Sequence, residues 1–385
     1  MRHHNSLLHQ LLQFVPWNRF EQLVESHGAD RRVRRMTTKS QLIALMYGQL
    51  AGAQSLREIE QGMASHAQRL YHLGAAKPAR STFADANAKR PAQLFADLFA
   101  VMTMSASSGL RGCVREAVHL VDATSIRLTD ASRAWADYKA HGSLVKLHVD
   151  LDADRSIPAN IAITPARVND VCMVETMPVE PGATYVFDLG YYDFSWWSQL
   201  VGQGCRFVTR LKTHTRPRVL EERSVEAVGG ICADRIVAID GRLRSARGAL
   251  HPLAGIALRE VGVITDDGRT LRLLTNDLNA PAADIAALYK ARWHIELFFR
   301  WIKQHLKIKR FLGISENAIR IQIAVALVVY LVLRLAAAAS RSTSSLLTFI
   351  RLVRANLMHL RPLAGLAKPP PAISNDTRQQ ELKLC

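Results

Sequence analysis

The segment "AVHLVDATSIRL" (117–128) places one acidic residue, Asp122, inside a run of aliphatic residues. Valine, isoleucine and leucine at this length predict a β-strand that is buried on at least one face. A carboxylate in such a strand costs several kcal/mol unless a partner compensates its charge. We therefore expect Asp122 either to pair with a nearby arginine such as Arg127 or to hold a bound cation.

More strand-like segments follow along the chain, and they fix the class of fold. Four are predicted: "LVKLHVDLD" (144–152), "PANIAITPA" (158–166), "ATYVFDLG" (183–190) and "CRFVTRLK" (205–212). The last two are separated by a predicted helix, "DFSWWSQLVGQG", which glycine ends. Three consecutive strands followed by alternating helix and strand predict an α/β fold, with a mixed sheet flanked by helices.

A second acidic residue, Asp188, ends the fourth predicted strand. If the first and fourth strands are neighbours in the sheet, Asp122 and Asp188 converge at one edge. The alternative for Asp188 is a cap on the following turn. Other acids are rival ligands that lie at strand ends or next to turns, where acids are ordinary: Asp150, Asp152, Asp170 and Asp193.

The segment "YKARWHIELFFRWIK" (289–303) supplies a third acid. On one continuous helix, its Tyr289, Arg292, Glu296 and Lys303 lie within an arc of roughly 60°. This stripe is either a solvated face held by ion pairs at i, i+4 spacing or part of a site. With Glu296, the two aspartates would offer hard oxygen ligands that suit Mg²⁺ or Mn²⁺.

Two such ions about 4 Å apart would support in-line phosphoryl displacement. Arg292 and Lys303 would then hold a phosphate oxygen of DNA, and Tyr289 would add a hydroxyl donor. Trp293, one position round the helix, offers a ring on which a base could stack.

The charge balance points to a polyanionic partner. The chain has 50 lysines and arginines against 33 acids, a net charge of +17, and nucleic acid is the leading candidate. An anionic membrane surface is the competing partner. The chain start lacks the long apolar core of a secretory signal, and the apolar run 323–333 is shorter than the roughly 18 residues of a bilayer span. These features predict a cytoplasmic protein without a membrane partner.

Composition along the chain predicts five parts. They are a helical N-terminal part (1–80), the first part of an α/β core (81–212), a β-rich insertion (213–277), the last part of the core with C-terminal helices (278–365), and a disordered tail (366–385). Within the first part, "DRRVRR" (30–35) is either a solvated connector or a phosphate-binding patch. Five widely spaced cysteines without a C-x2-C pair indicate neither a disulfide framework nor a zinc site.

Together, these blocks resemble the DDE transposases of bacterial insertion sequences. The spacing Tyr289-x2-Arg292-x3-Glu296-x6-Lys303 is similar to the signature of one branch, the fourth insertion-sequence family. The blocks "VDATSI" and "FDLGYYD" resemble the family's other two, in the same order and with an insertion before the glutamate. The resemblance covers about 114–310, and the helical segment of about 5–78 also resembles the leader domain of such transposases.

The resemblance implies a ribonuclease-H-like core that binds two Mg²⁺ or Mn²⁺ ions through Asp122, Asp188 and Glu296. It implies cleavage of double-stranded DNA at the terminal inverted repeats of an element and strand transfer into target DNA, through a hairpin intermediate and by a homodimer. Tyr289, Arg292 and Lys303 would grip the phosphate near a flipped base.

Two departures from the family pattern are visible. Leu189 stands where the family has arginine after the second acid, and the insertion contains no tryptophan, since Trp197 is followed next by Trp293. Two alternatives stay open. One is another ribonuclease-H-like nuclease, and the other is a non-catalytic protein that binds element ends and inhibits transposition.

Overall fold

The computed structural model describes residues 5–109, 117–137, 142–225, 230–239, 250–306, 311–340 and 345–366. It contains two compact units, one spanning 16–331 and the other made of 1–15 together with 332–385. The predicted disordered tail lies outside the described residues except for Leu366. Cys113 and Cys385 also lie outside them.

The first part of the chain is helical, as its apolar spacing predicts. Its helices are α1 (Leu7–Leu12), α2 (Trp17–Ser26), α3 (Thr38–Ala51), α4 (Leu56–Ala64), α5 (Ala67–Leu73), α6 (Arg80–Lys89) and α7 (Ala92–Gly109). Hydroxyl side chains begin three of them by accepting a backbone N–H from the first turn: Ser6, Thr37 and Ser55. Pro91 lies between α6 and α7, where it cannot continue the helix.

Each of the five predicted strands is confirmed to within two residues at most ends. They are β1 (Val118–Arg127), β2 (Leu144–Asp152), β3 (Ile157–Pro165), β4 (Thr184–Phe187) and β5 (Arg206–Arg210). Four more strands form in the segment 213–277: β6 (Arg218–Glu222), β7 (Ile231–Ala238), β8 (Ala257–Ile264) and β9 (Thr270–Thr275).

The described strands form one mixed sheet in the order β3-β2-β1-β4-β5-β9-β8-β7-β6. β1, β2 and β3 make an antiparallel meander, and β4 and β5 run parallel to β1 on its other side. The strands of 213–277 continue the same sheet, because β9 pairs antiparallel with β5. The predicted mixed sheet flanked by helices is thus confirmed.

The core on one face of the sheet is aromatic. Val121 on β1 and Phe187 on β4 are register partners, and both are buried in a cluster with Trp197 and Phe207. Trp197 comes from α9 (Phe194–Gly202), which packs against β5 on this face. Because side chains alternate along a strand, the residues after Val121 and Phe187 point to the opposite face.

Helices return after the sheet: α10 (Ala282–Ala291), α11 (Trp293–His305), α12 (Glu316–Ala339) and α13 (Leu346–Asn356), in addition to the short α8 (Arg133–Ala136). The prediction of one continuous helix over 289–303 is wrong, because α10 ends at Ala291 and α11 begins at Trp293. On both sides of Arg292 the backbone tightens to i→i−3 hydrogen bonds, from Arg292 N–H to Tyr289 and from Ile295 N–H to Arg292. The break coincides with the Arg292 side chain reaching two acids, so the polar stripe spans two helices.

The apolar run 323–333 forms the buried centre of α12. Among the described residues, α12 is one helix that is long and apolar enough to cross a membrane by length and composition, with a mean hydropathy of 2.3. However, 78% of that window is buried inside the protein, which is the pattern of a core helix.

The smaller unit joins the two ends of the described chain. In α1, the Leu7 and Leu8 N–H groups donate to the carbonyls of His359 and Leu357, at 3.0 and 2.8 Å. The Gln10 side chain donates to the Arg361 carbonyl and accepts from the Leu363 N–H, at 2.8 and 2.9 Å. These bonds fix α1 against the segment that follows α13.

Candidate active site

Asp122 and Asp188 lie side by side. The parallel register pairs Val121 with Phe187. Asp122 and Asp188 are the next residues, so their backbones lie at the same level and about 5 Å apart, the spacing between neighbouring strands. Both point to the face opposite the aromatic core, and there α11 contacts β1. The convergence that the sequence predicts for the two aspartates therefore results from the parallel pairing of β1 with β4.

The Asp122 carboxylate is held in place but electrostatically unfavourable. One oxygen accepts the Ala123 N–H at 2.8 Å, and the other accepts from Arg292 at 3.1 Å. Burial is the main reason that the pKa of Asp122 rises to about 6. The charges of Asp188 and Glu296 raise it further, whereas the Ala123 N–H and Arg292 lower it. Asp188 and Glu296 therefore lie close enough to Asp122 for their charges to affect its pKa.

Asp188 has a different environment, because an arginine that the sequence reasoning missed binds it. Arg210 at the end of β5 donates from Nε and Nη2 to one Asp188 oxygen, at 3.0 and 2.5 Å. Burial raises the pKa of Asp188, but the Leu189 N–H and Arg210 outweigh burial, so the pKa lies below its ordinary value. The alternative reading is also correct, since Asp188 caps the short helix Leu189–Tyr191.

Glu296 joins this pair through Arg292. The Arg292 guanidinium donates to Glu296 at 2.8 Å and to Asp122 at 3.1 Å, so it bridges α11 and β1. It is buried, and although burial works to lower its pKa, Tyr289 and the neighbouring acids raise the pKa above its ordinary value. None of the described residues accepts a hydrogen bond from its buried Nε. The Asp122 partner is Arg292, not the neighbouring Arg127.

Tyr289 and Lys303 also lie at this site. Tyr289 is 9% exposed, its ring lies 5.8 Å from the Arg292 guanidinium, and burial raises the pKa of its hydroxyl to about 12. Lys303 donates to the hydroxyl of Thr124, which lies two residues beyond Asp122 on the same face of β1. Thr124 is a second residue that the sequence reasoning missed, and no local signal marked it.

Trp293 differs from Tyr289 and Arg292 in being exposed. Its side chain is 55% exposed on α11, one residue after Arg292. An exposed tryptophan near half-buried acids can meet a partner from solution, whereas Tyr289 and Arg292 already contact each other or the acids.

The rival acids have other partners. Asp150 binds His119 at 2.7 Å, Asp170 binds Lys146 at 2.9 Å, and Asp193 caps α9 by accepting the Trp196 N–H at 2.8 Å. Asp152 pairs with Arg155. These contacts satisfy the rival acids within the fold.

The donor chemistry of the three acids fits a divalent cation. All are carboxylates, the oxygen ligands that hard cations prefer, and their mutual repulsion at Asp122 is what a bound cation relieves. In the part of the chain that the structure describes, no three His, Cys, Asp or Glu side chains form a group that could hold a metal ion. Here the Arg292 guanidinium lies between Asp122 and Glu296 and binds both carboxylates.

Three carboxylates with arginines and a lysine beside them define a class of site suited to metal-assisted phosphoryl transfer. Comparison with protein families agrees. Residues 115–332 match the transposase DDE domain, and residues 3–76 match a domain of unknown function, DUF4372. The chain belongs to the DDE transposases, which are DNA-cleaving enzymes that generally use divalent metal ions.

Individual relatives support this membership. The chain is 40% identical over 299 residues to the Sinorhizobium fredii protein y4zB, which is named as a transposase, covering 76% of this chain and 82% of y4zB. It is 28% identical over 239 residues to a Geobacillus stearothermophilus protein named as the transposase of insertion sequence element IS5377, covering 62% of this chain and 61% of that protein.

A solved structure is similar at a lower level. It is the cryo-EM structure of the piggyBac transposase synaptic complex with hairpin DNA, with a TM-score of 0.48 and 13% identity, covering 98% of this chain and 84% of that chain. This likeness is too low to carry an argument.

Proposed function

We propose that this transposase cuts DNA at the ends of an insertion sequence and transfers the cut strand into target DNA, with Asp122, Asp188 and Glu296 as its catalytic acids. One observation carries the proposal: Asp122 and Asp188 occupy the same level on paired parallel strands, and Arg292 joins Glu296 to Asp122. An antiparallel meander followed by two parallel strands, in the order β3-β2-β1-β4-β5, supports a ribonuclease-H-like core.

The three acids would hold two Mg²⁺ ions, with Mn²⁺ as a substitute. Such a pair, when bound, activates the attacking oxygen and stabilises the leaving oxygen of the phosphodiester. Arg210 keeps Asp188 ionised and oriented towards the site. A carboxylate with a lowered pKa is ready to bind a cation without first losing a proton.

Arg292 and Lys303 would bind DNA phosphate, as expected of the branch with this signature. The buried Arg292 Nε has no acceptor among the described residues, so a phosphate oxygen would satisfy it. When Arg292 turns to the phosphate, Asp122 and Glu296 become available to the cations. Tyr289, packed near Arg292, would help to position the guanidinium and add its hydroxyl as a donor.

The DNA would approach over exposed surface next to the acids. A cleft of about 700 Å³ opens beside Asp188, and Leu189, Arg210, Lys212, His214 and Arg269 contribute to its lining. Trp293 would stack on a flipped base near the cut, and this role supports a cut-and-paste route with a hairpin intermediate. The substrates would be the double-stranded terminal repeats and the target DNA. The protein would act in the cytoplasm as a homodimer on paired ends. It would keep the five-part domain division, with residues 1–80 binding DNA.

Cleavage of a duplex that carries the element's own ends tests the proposal. The inverted repeats that flank the reading frame in genomic DNA supply that substrate. Asp122→Asn, Asp188→Asn and Glu296→Gln should each slow nicking by roughly a thousandfold or more, while DNA binding is retained. Glu316→Gln is the matched control, because Glu316 also forms an i, i+4 pair with an arginine, Arg320.

Activity should require Mg²⁺ or Mn²⁺ and stop with EDTA. Cleavage that survives Asp122→Asn and Glu296→Gln would eliminate the proposed site. Binding of the ends without cleavage in any divalent ion would instead indicate the non-catalytic inhibitor, and cleavage without joining to a target duplex would indicate a simple nuclease.

A further inference from the structure

A surface far along the chain from the three acids carries a separate concentration of positive charge. Four arginines lie in the loop between α2 and α3: Arg31, Arg32, Arg34 and Arg35. All four are exposed. Within the described residues, no ion pair involves their guanidinium groups, so this short loop presents four uncompensated charges.

The loop has a defined fold. The Arg31 N–H donates to the Gly28 carbonyl at 3.1 Å, and the Val33 N–H donates to the Asp30 carbonyl at 3.0 Å. One Asp30 oxygen accepts both the backbone N–H and the hydroxyl of Thr38, each at 2.7 Å, which anchors the loop to the start of α3. A solvated connector needs no such anchoring.

A fifth arginine, Arg90, holds the loop from the inside. It is 6% exposed and donates to the Thr37 carbonyl at 3.3 Å, to Gln41 at 2.8 Å and to the Met36 carbonyl. It also lies 3.5 Å from Asp30. The acid nearest to the loop is therefore already occupied by Arg90 and Thr38, and it does not neutralise the exposed arginines.

The loop forms one wall of a cleft of about 800 Å³. The other wall is α6, which contributes Thr82, Asp85, Ala86 and Lys89 at helical i, i+3, i+4, i+7 spacing. Five exposed cations face one exposed acid, Asp85, across this space. His27, which also lines the cleft, is bonded to Asp97 at 2.7 Å.

Like charges repel, so such a concentration is costly without an anionic partner. The planar guanidinium matches the geometry of phosphate oxygens and forms paired hydrogen bonds with them. A cleft with arginines on one wall and lysine on the other suits an extended anion with repeating charges, which is the backbone of a nucleic acid.

We propose that this cleft grips the sugar-phosphate backbone of duplex DNA without regard to base sequence, as a contact separate from the catalytic acids. The inference rests on the proposed function, since DNA is the substrate there. The arginine loop falls within residues 3–76, so the cleft assigns a role to the part of the chain that matches a domain of unknown function. Lys89 lies beyond that match, which makes the grip a joint property of two segments.

Fluorescence anisotropy with a labelled duplex in EDTA measures this binding without cleavage. Arg34→Gln/Arg35→Gln should weaken binding and reduce the slope of log K against log salt by up to about 2, or about 1 for each lost phosphate contact. Lys89→Gln on the opposite wall should reduce the slope by up to about 1. The affinity loss should be the same for an element end and for a random duplex.

Matched variants separate this grip from net charge. Arg167→Gln/Arg351→Gln removes two exposed arginines outside residues 1–80 and should leave the slope unchanged. Arg34→Lys/Arg35→Lys keeps both charges and should keep most of the slope. The thermal unfolding of all variants should match the parent, since the substituted side chains are exposed.

Three outcomes overturn the proposal. A wild-type slope in the cleft variants, or an equal loss in the control pair, would show that this cleft makes no phosphate contact of its own. A loss confined to the element end would show base recognition instead. Absence of duplex binding by the unmodified protein would reject the proposed function as well, so the two failures are distinguishable.

Discussion

The strand β1 contributes to two clusters of charged side chains, through His119 and, three residues later, Asp122. The clusters differ in whether their surroundings favour the charge. The first, the histidine cluster, consists of His119, Asp150, Glu180 and Asn160. The second, the acid site, consists of Asp122, Asp188, Glu296 and the arginines Arg210 and Arg292. Alternation along β1 places the two clusters on opposite faces of the sheet.

In the histidine cluster every buried charge has a partner. His119 lies between Asp150 at 2.7 Å and Glu180 at 3.3 Å, and its ring stacks on Tyr185 with centroids 4.9 Å apart. Asn160 donates to the second Asp150 oxygen at 2.9 Å. Burial opposes the charge on His119, but Asp150 and Glu180 outweigh it and raise the pKa of His119 to about 9.

In the acid site the surroundings of Asp122 oppose its charge instead. Burial raises the pKa of Asp122, the charges of Asp188 and Glu296 raise it further, and one arginine is divided between Asp122 and Glu296. The difference shows how to read charges in this fold. A cluster whose partners favour its charge stabilises the fold, whereas a carboxylate whose charge is disfavoured by its surroundings is suited to a ligand that the chain does not supply.

The largest effect on DNA nicking is expected from replacing Arg210, the acid-site arginine that binds Asp188. Because both of its nitrogens orient one Asp188 oxygen, Arg210→Ala should slow DNA nicking by roughly 10²- to 10³-fold and raise the pKa of Asp188. A gel assay at several pH values would show the loss recovering partly as pH rises. Arg206→Ala is the control, since Arg206 pairs with Asp277 at the other end of β5 with similar exposure, and it should nick normally.

A pH-dependent loss of stability is expected at the histidine cluster. The folded-state pKa of about 9 exceeds the ordinary 6.5, so the stabilisation is fully present below pH 6.5 and is lost as pH rises through 9. His119→Gln should lower the free energy of unfolding by on the order of 3 kcal/mol at pH 6, with the difference shrinking above pH 9. Urea titrations at both pH values measure it.

His148→Gln on β2 is the matched control for that experiment. His148 is buried too, but burial lowers its pKa to about 4, so it is neutral throughout this range. Because the unfolded chain protonates His148 near its ordinary pKa of 6.5 and the folded chain does not, the loss in this variant should be smaller at pH 6 than at pH 9, opposite to that of His119→Gln. Equal pH dependence in both variants would contradict the assignment of the charge to His119.

A smaller effect, on cation affinity, is expected from replacing Arg292, which occupies Asp122 and Glu296 in place of a cation. Arg292→Gln removes the guanidinium from Asp122 and Glu296, so Mn²⁺ should bind the DNA-free protein about tenfold more tightly, as the loss of one charge-assisted hydrogen bond allows. Cleavage should nevertheless slow, because the phosphate contact is lost. Isothermal titration calorimetry measures Mn²⁺ binding. Arg292 competes with the cation if Arg292→Gln binds Mn²⁺ more tightly than the parent and the control Arg300→Gln, at an exposed arginine, does not.

The smallest expected effect lies at the exposed edge of the acid site. Trp293→Ala should change the free energy of unfolding by no more than about 0.5 kcal/mol, since the ring is mostly in solvent. Nicking should fall about fivefold, at the lower end for one stacked base. Trp293→Phe should restore most of the nicking rate. Leu297 is exposed one helical turn after Trp293, so Leu297→Ala is the control and should nick like the parent. A loss in Trp293→Phe equal to that in Trp293→Ala would argue against stacking.

The sequence predicted the strands well because local rules govern them. A run of aliphatic residues with one aspartate is unusual enough to mark Asp122, and the strand bounds of 144–152 match β2 at both ends. It failed at Arg292, where a continuous helical pattern hid a break; the break coincides with a contact to Asp122 on β1, 170 residues away along the chain.

Arg210 and Thr124 were also beyond the sequence. An arginine at the end of a strand is ordinary by itself, and it matters here because β5 lies beside β4 and brings it to Asp188. The four strands of 213–277 gave the same difficulty. Their patterns showed β-structure, but pairing between β5 and β9 put them in the main sheet.

The sequence by itself determined the α/β class, the order of the strands along the chain and the basic charge, since each depends on residue type and short-range spacing. The tertiary structure decided which strands became neighbours, which arginine each acid received, and that the arginine loop faced α6 across a cleft. Those outcomes depend on contacts between segments distant along the chain, and the free energy of such contacts is set by packing and charge in three dimensions.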